Sequence, residues 1–330
     1  MTKSHWLKWF APTPDPNALC SVTWSDELKA RSNDVDTKLP EDLTEILFDT
    51  VSGSTYAVLD GAVLTNLPDR LASSGLEYTC LYSGEAAEVL GEIAPYLVRL
   101  KPGDDLTRDL LTDGQAPWHN WGEAIGVFLH SKSNLQDLRA HLRKFTRLPK
   151  WDTGAWVLFR FWQADILAAL ALKGPYDLTS ALLHPSAISR VMLPCGDRFV
   201  IVEPDPNAPP RVDRPILSQS THKAMGRFVQ ARFFHDLHYD CLAQGEAPES
   251  HVSFVLIELQ RLGFAGRQTL YDLAHWWCTR DGASVMKTVW AQSELEDTRG
   301  FPDLVRRDRL FNLVEEKIAD AKQGALSATG

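Results

Sequence analysis

Residues 154–162 read Gly-Ala-Trp-Val-Leu-Phe-Arg-Phe-Trp, with large apolar side chains at adjacent positions. Neighbours in a strand point to opposite faces, so such a run needs cover on both sides. It predicts a central strand with a packed layer on each face. Arg160 interrupts the run near its end. A guanidinium keeps its proton, so inside a protein it requires a carboxylate or carbonyl partner. The other reading puts Arg160 in solvent at the sheet edge.

The chain is long enough to supply those layers. Its 330 residues suit about two domains, and 44% hydrophobic residues can fill their cores without disulfide staples. The formal net charge of -9 disfavours general binding to phosphate backbones. Cys20, Cys80, Cys195, Cys241 and Cys278 are odd in number, widely spaced and free of any C-x-x-C. That usage fits a reducing compartment. The start lacks the apolar core of a signal peptide, and no run approaches the ~18 apolar residues of a membrane helix. The expectation is a soluble, cytoplasmic protein.

Residues 1–38 are expected to form an irregular N-terminal arm, because Pro12, Pro14 and Pro16 oppose regular structure. Its Trp6, Trp9, Phe10 and Trp24 either pack back on the body or meet a partner. Residues 39–203 alternate helical and strand patterns. Helices are predicted over 41–51, 67–73, 85–90, 104–111 and 133–147, with strands over 55–59, 77–82, 95–100 and 125–130. Ser133 and Gln136 fit a capping box for the best of these helices. The rhythm predicts an α/β lobe with a mixed, mainly parallel sheet flanked by helices. Residues 188–193 and 198–202, joined by Cys195-Gly196-Asp197, read as an antiparallel hairpin at the sheet edge. Five prolines fall within 204–219, which reads as an interdomain linker. Residues 220–323 carry only helical patterns, so an all-α bundle lobe is expected there. The small, polar residues 324–330 read as a disordered tail.

The sequence has no G-x-G-x-x-G after a strand, no G-x-x-x-x-G-K-[ST], no G-x-S-x-G and no H-E-x-x-H. His235 and His238 share a helix face with Asp236 and Asp240 nearby, but two histidines leave a metal site incomplete. A mixed core-and-surface helix explains them as well. Cys80 reads as a small buried thiol, since nothing local would lower its pKa. Asp60 and Glu85 could be paired carboxylates, a pattern that any two acids in a long chain satisfy. Arg139, Arg143, Lys144, Arg147 and Lys150 cluster on or just after the best helix. They form either a solvated face or a dock for an acidic partner segment. Trp118 and Trp121 lie in the loop Pro-Trp-His-Asn-Trp-Gly, where they either anchor a protein contact or fold over the core.

Several of these pieces occur in an order that resembles a known family. Tyr56-x-x-x-Asp60-Gly61-Ala62, Leu81-Tyr82-x-Gly84, Ala94-Pro95-Tyr96-Leu97-Val98-x-Leu100, His141-Leu142-Arg143 and the run ending in Arg160-Phe161 together look like the effector-adaptor chaperones of bacterial type VI secretion. These Tap or TEC proteins carry a domain long labelled as unknown in function. The resemblance covers about residues 40–175. It implies a protein that binds a cognate toxic effector in the cytoplasm and helps load it onto the VgrG spike, without being an enzyme and without a cofactor. The two lobes would form the gripping surface, with Arg139, Arg143, Lys144, Arg147, Trp118 and Trp121 as partner-binding residues. Asp60 and Arg160 would pair structurally. After the Arg-Phe pair the family often reads Tyr-Asp-Pro-Arg, whereas Trp162-Gln163-Ala164-Asp165 stands here. That departure puts in doubt any role for the family's acid and base at those positions. The alternatives are a metal-dependent hydrolase using the His235/His238 region, or a scaffold outside secretion.

Overall fold

The computed structural model describes residues 20–32, 38–48, 53–207, 214–243 and 249–327, without the side chains of 241–251, 280–281 and 322–327. The arm residues Trp6, Trp9, Phe10, Pro12, Pro14 and Pro16, the Cys241 side chain, and Pro209 and Pro210 of the linker lie outside that description. The chain divides into two units, Met1–Val229 and Gln230–Gly330.

Seven strands build the main sheet of the first unit. They are β1 (Cys20–Trp24), β2 (Ser54–Asp60), β3 (Tyr78–Cys80), β4 (Pro95–Arg99), β5 (Gly126–Ser131), β8 (Arg190–Cys195) and β9 (Arg198–Pro204). Their order is β1-β9-β8-β5-β2-β4-β3, and every neighbouring pair is antiparallel. The expected mainly parallel sheet is therefore wrong. The pairing directions show why the rhythm misled. β2 and β3, linked through a helix, do run the same way, and so do β4 and β5. Yet β4 lies between the first two and β2 between the second two. β3 and β4, also separated by a helix, run in opposite directions and pair, so alternation of strand and helix fixes neither the direction nor the adjacency of successive strands.

The pleat divides the sheet into two buried faces. Ala57, Leu59, Val98, Phe128, Met192 and Phe199 share one face and pack in a single core with buried residues of α1 (Glu41–Leu47), α2 (Leu67–Ser74) and α4 (Asp105–Leu110). Tyr56, Val58, Leu97, Val127, Leu129 and Val191, of opposite parity, are buried too. On that side the sheet meets α5 (Leu135–Thr146), which contacts β3 and β4, and α6 (Ala164–Lys173), which contacts β1 and β8. Two glycines permit the tight packing. Gly126 has φ +142, and a Cβ there would sit 2.0 Å from the Val58 carbonyl oxygen. Gly196, at φ +75, turns the β8–β9 hairpin.

Three local expectations also change. Cys20–Trp24, placed in the irregular arm, is an edge strand, so the β8–β9 hairpin does not end the sheet. α5 is capped by Asn134, whose side chain accepts the Asp137 amide at 2.9 Å, and not by the Ser133 capping box. The 154–162 run is no central strand. Only Trp156–Leu158 (β7) is extended, paired with Arg147–Pro149 (β6) in a separate two-stranded sheet. Gly154 turns into β7 at φ +66, and the apolar cover arrives only from Phe159, Phe161 and Trp162, which are buried.

Between the small sheet and β8 lies α7 (Tyr176–Leu182), behind α3 (Glu85–Val89) in chain order. From β9 onward the described elements are helices: α8 (Gln219–Ala243), α9 (Glu249–Arg261), α10 (Arg267–Trp277), α11 (Arg280–Val285), α12 (Val289–Asp297) and α13 (Asp303–Ser327). The boundary between the units falls within α8, and α13 continues into the stretch expected to be a disordered tail. In the second unit Leu237, Val255, Leu259, Leu270, Leu273 and Leu310 form the core. Arg306 is buried there because Nη2 donates to the carbonyls of Leu262 and Leu295, at 2.9 and 3.0 Å, over the face of Phe264. No helix among the described residues is long and apolar enough to cross a membrane.

Candidate functional site

A groove of about 730 Å³ opens on the first unit. The last turn of α5 supplies Arg143, Lys144 and Thr146. Cations suit that position, where the helix presents its unpaired carbonyls and the negative end of its dipole. The β6–β7 hairpin adds Arg147, Pro149 and Trp156, and the segment after β3 adds Leu81, Tyr82, Ser83 and Ala86. Arg214 and Pro215 complete the rim. Among the described residues the lining holds four cations and no carboxylate.

The hairpin explains the groove's apolar floor. Leu148 is fully buried and faces the body, while its neighbours face out. Arg147 lies opposite Leu158 and Pro149 opposite Trp156, so these four share one face. Trp156 is 63% exposed and Leu158 52%. On the opposite wall, Tyr82 packs edge-on against Trp162 at 6.5 Å. Burial pushes the Tyr82 phenol upward, with Arg160 pulling the other way, so the ring meets the groove as a neutral hydroxyl.

The residues singled out from the sequence divide by role. Arg143, Lys144 and Arg147 line the groove. Arg143 also donates to the Ser83 hydroxyl. Arg139 is instead a strut: Nε donates to the Cys80 carbonyl at 2.8 Å and Nη2 to the Tyr82 carbonyl at 3.3 Å. Lys150 pairs with Asp152 at 3.2 Å and lies over Trp151. Trp118 and Trp121 are not part of the groove lining. Trp118 is 52% exposed, and its carbonyl accepts from Arg70. Trp121 packs against the main core. Arg160 Nη2 donates to Asp60 Oδ2 at 2.6 Å, while Asp60 Oδ1 accepts the Ala62 amide at 3.1 Å. Asp60 is 3% exposed at its side chain and Arg160 36%.

The chemistry weighed elsewhere is dispersed. Burial raises the Cys80 pKa, and Arg139 offsets this only in part. His235 Nδ1 lies 3.7 Å from Asp236 Oδ1, and Asp240 accepts from the Tyr271 hydroxyl at 2.9 Å. Among the described residues no three His, Cys, Asp or Glu side chains gather as a metal site. In the second unit a further groove of about 680 Å³ includes Phe254, Trp277, Met286 and Val289.

A domain of unknown function, DUF4123, matches residues 55–174. The match spans somewhat over a third of the chain and contains every groove residue except Arg214 and Pro215. It falls within the stretch that resembles the type VI adaptors. Comparison with curated proteins and with solved structures finds no match.

Sequence reasoning missed Trp156 and Arg214 as groove residues. Asp152-Thr153-Gly154 was the available signal for the first, because it is turn chemistry between two short extended stretches. Arg214 carries no local signal; tertiary structure alone brings it to the rim.

Proposed function

We propose that this chain is an adaptor of type VI secretion, which binds a cognate toxic effector in the cytoplasm and helps load it onto the VgrG spike. On this reading it acts by binding and not by turnover, and it needs no cofactor. The observation that carries the reading is the coincidence of three things on residues 55–174: the family match, the resemblance to adaptors, and almost the whole lining of a cationic, apolar groove. Such a surface combines two requirements of polypeptide capture, an apolar anchor area and charges that steer encounter.

The test is co-expression of the chain with each product encoded beside its gene, including any spike protein, followed by size-exclusion chromatography. A stable complex with a toxin is expected. The triple variant Arg143→Glu, Lys144→Glu, Arg147→Glu should lose that complex while keeping the fold. Arg139 stays intact in this design because it supports the Cys80–Tyr82 backbone. Turnover of a small molecule by a chain that binds no neighbouring product would overturn the proposal.

A further inference from the structure

The small sheet has an open edge beside the groove. Phe159 donates its amide to the Thr146 carbonyl, and Lys150 donates to the Ala155 carbonyl, both at 3.0 Å. In an antiparallel ladder hydrogen-bonded and non-hydrogen-bonded pairs alternate. With those two pairs bonded, Leu148 and Val157 form the bonded pair between them. The N–H and C=O groups of Trp156 and Leu158 therefore point away from β6. Among the described residues they meet no ladder partner, since β7 pairs only with β6. The far edge of β6 is different: Leu217 exchanges backbone bonds with Pro149 and Trp151 at 3.0 and 3.2 Å.

We propose that the partner is held as an extended, net-acidic segment that adds a strand to the open edge of β7. This rests on the adaptor reading and names the chemistry of the segment it would grip. The backbone groups of Trp156 and Leu158 supply the pairing. Partner side chains opposite them fall on the face shared with Trp156, Leu158 and Arg147, so apolar residues find exposed apolar surface there. The acidic character follows from charge. Arg143, Lys144, Arg147 and Arg214 make a positive island on a chain of net charge -9. An acidic segment is repelled elsewhere and drawn to this face. Two strand spacings of about 4.8 Å separate an added strand from β6, within reach of an arginine and a glutamate extended toward each other. A nucleic acid would satisfy the cations but not the strand edge.

The experiment selects a random 12-residue peptide display library on the full chain. Enriched sequences are expected to be net negative with interspersed apolar residues. A fluorescein-labelled peptide of that set is then titrated by anisotropy. Arg147→Glu and Trp156→Ser, both exposed positions, should each weaken binding by at least about tenfold. N-methylation of alternate peptide amides, which removes donors but not charge, should do the same. Neutral or basic selected sequences overturn the proposal, as does an N-methylated peptide that binds equally well. Displacement of the peptide by a 12-nucleotide single-stranded DNA at equal affinity overturns it too, and so does a chain that dimerises through β7 in light scattering and binds no peptide. Capture of a neighbouring toxin without peptide binding would sink this inference and leave the adaptor reading standing. Peptide binding with no toxin capture would do the reverse.

Discussion

Replacing Arg160 should destabilise the protein more than replacing its partner Asp60. The reason is their unequal burial: the carboxylate is 3% exposed, whereas the guanidinium is 36% exposed. Removing one member of a fully buried pair costs about 3–5 kcal/mol, mainly because the other charge is left uncompensated. In Arg160→Leu the stranded charge is Asp60, which among the described residues keeps the Ala62 amide as its hydrogen-bond donor. Partial exposure of the pair lowers the expected loss to about 3 kcal/mol. In Asp60→Asn the amide oxygen can still accept from Ala62, and Arg160 turns to water. That change should cost about 1 kcal/mol. The double variant should then lose little more than Asp60→Asn alone, giving a coupling of about 3 kcal/mol. For a unit of this size 1 kcal/mol shifts Tm by about 2–4 °C, so Arg160→Leu should fall by roughly 6–12 °C. Thermal unfolding followed by tryptophan fluorescence measures all three variants. Equal losses for the two single changes, or an additive double variant, would refute the argument from burial.

Gln163 precedes α6 with an extended backbone and no side-chain capping bond, so Gln163→Asp should stabilise by about 1 kcal/mol and raise Tm by about 2–4 °C. An unchanged or lower Tm would count against it. Trp118→Ala should change stability by less than about 0.5 kcal/mol, while Trp121→Ala, at a side chain packed against the core, should cost about 2–4 kcal/mol in urea unfolding. A reversed order would mean the loop rests on Trp118. Burial pushes the Cys20 thiol up to about 11 and raises Cys80 as well. At pH 7.5 both stay protonated, so iodoacetamide should label them far more slowly in the native protein than in the denatured chain, read by peptide mass spectrometry. Equal rates would contradict the burial.

Element positions were largely legible, because each rests on local pattern. Leu135, Leu138, Leu142 and Phe145 mark α5, and Asp104 marks the start of α4, where it accepts the Leu106 amide. Strand adjacency was not legible. Nothing local in Ser54–Asp60 says that its neighbours are Pro95–Arg99 and Gly126–Ser131 and not the next strand in the chain. β1 escaped notice for a related reason. Its five residues alternate partly buried and exposed, a weak signal beside a proline-rich start, and pairing with β9 decides it. The cations of the groove were visible as a cluster because Arg143, Lys144 and Arg147 sit at one helix end. Their separation from the strut Arg139 was not, since it depends on the carbonyls of Cys80 and Tyr82 meeting one side chain and not the others.

The misreading of residues 154–162 bears on function. An apolar run predicts burial only if nothing else will cover it, and sequence cannot say whether the cover belongs to the same chain. Here Phe159, Phe161 and Trp162 find cover at home, while Trp156 and Leu158 stay more than half in water. Full burial of a side chain of this kind is worth about 1.5–3 kcal/mol, so the folded chain forgoes a large part of that at each position. It does so on a strand whose outer backbone groups meet no ladder partner among the described residues, and such edges are ordinarily blunted by proline, charge or a covering element. Pro149 and Arg147 stand on β6, the edge already occupied by Leu217, whereas β7 itself carries neither. Within the small sheet the guard is therefore missing from the strand whose edge is open, which is the arrangement a docking edge requires.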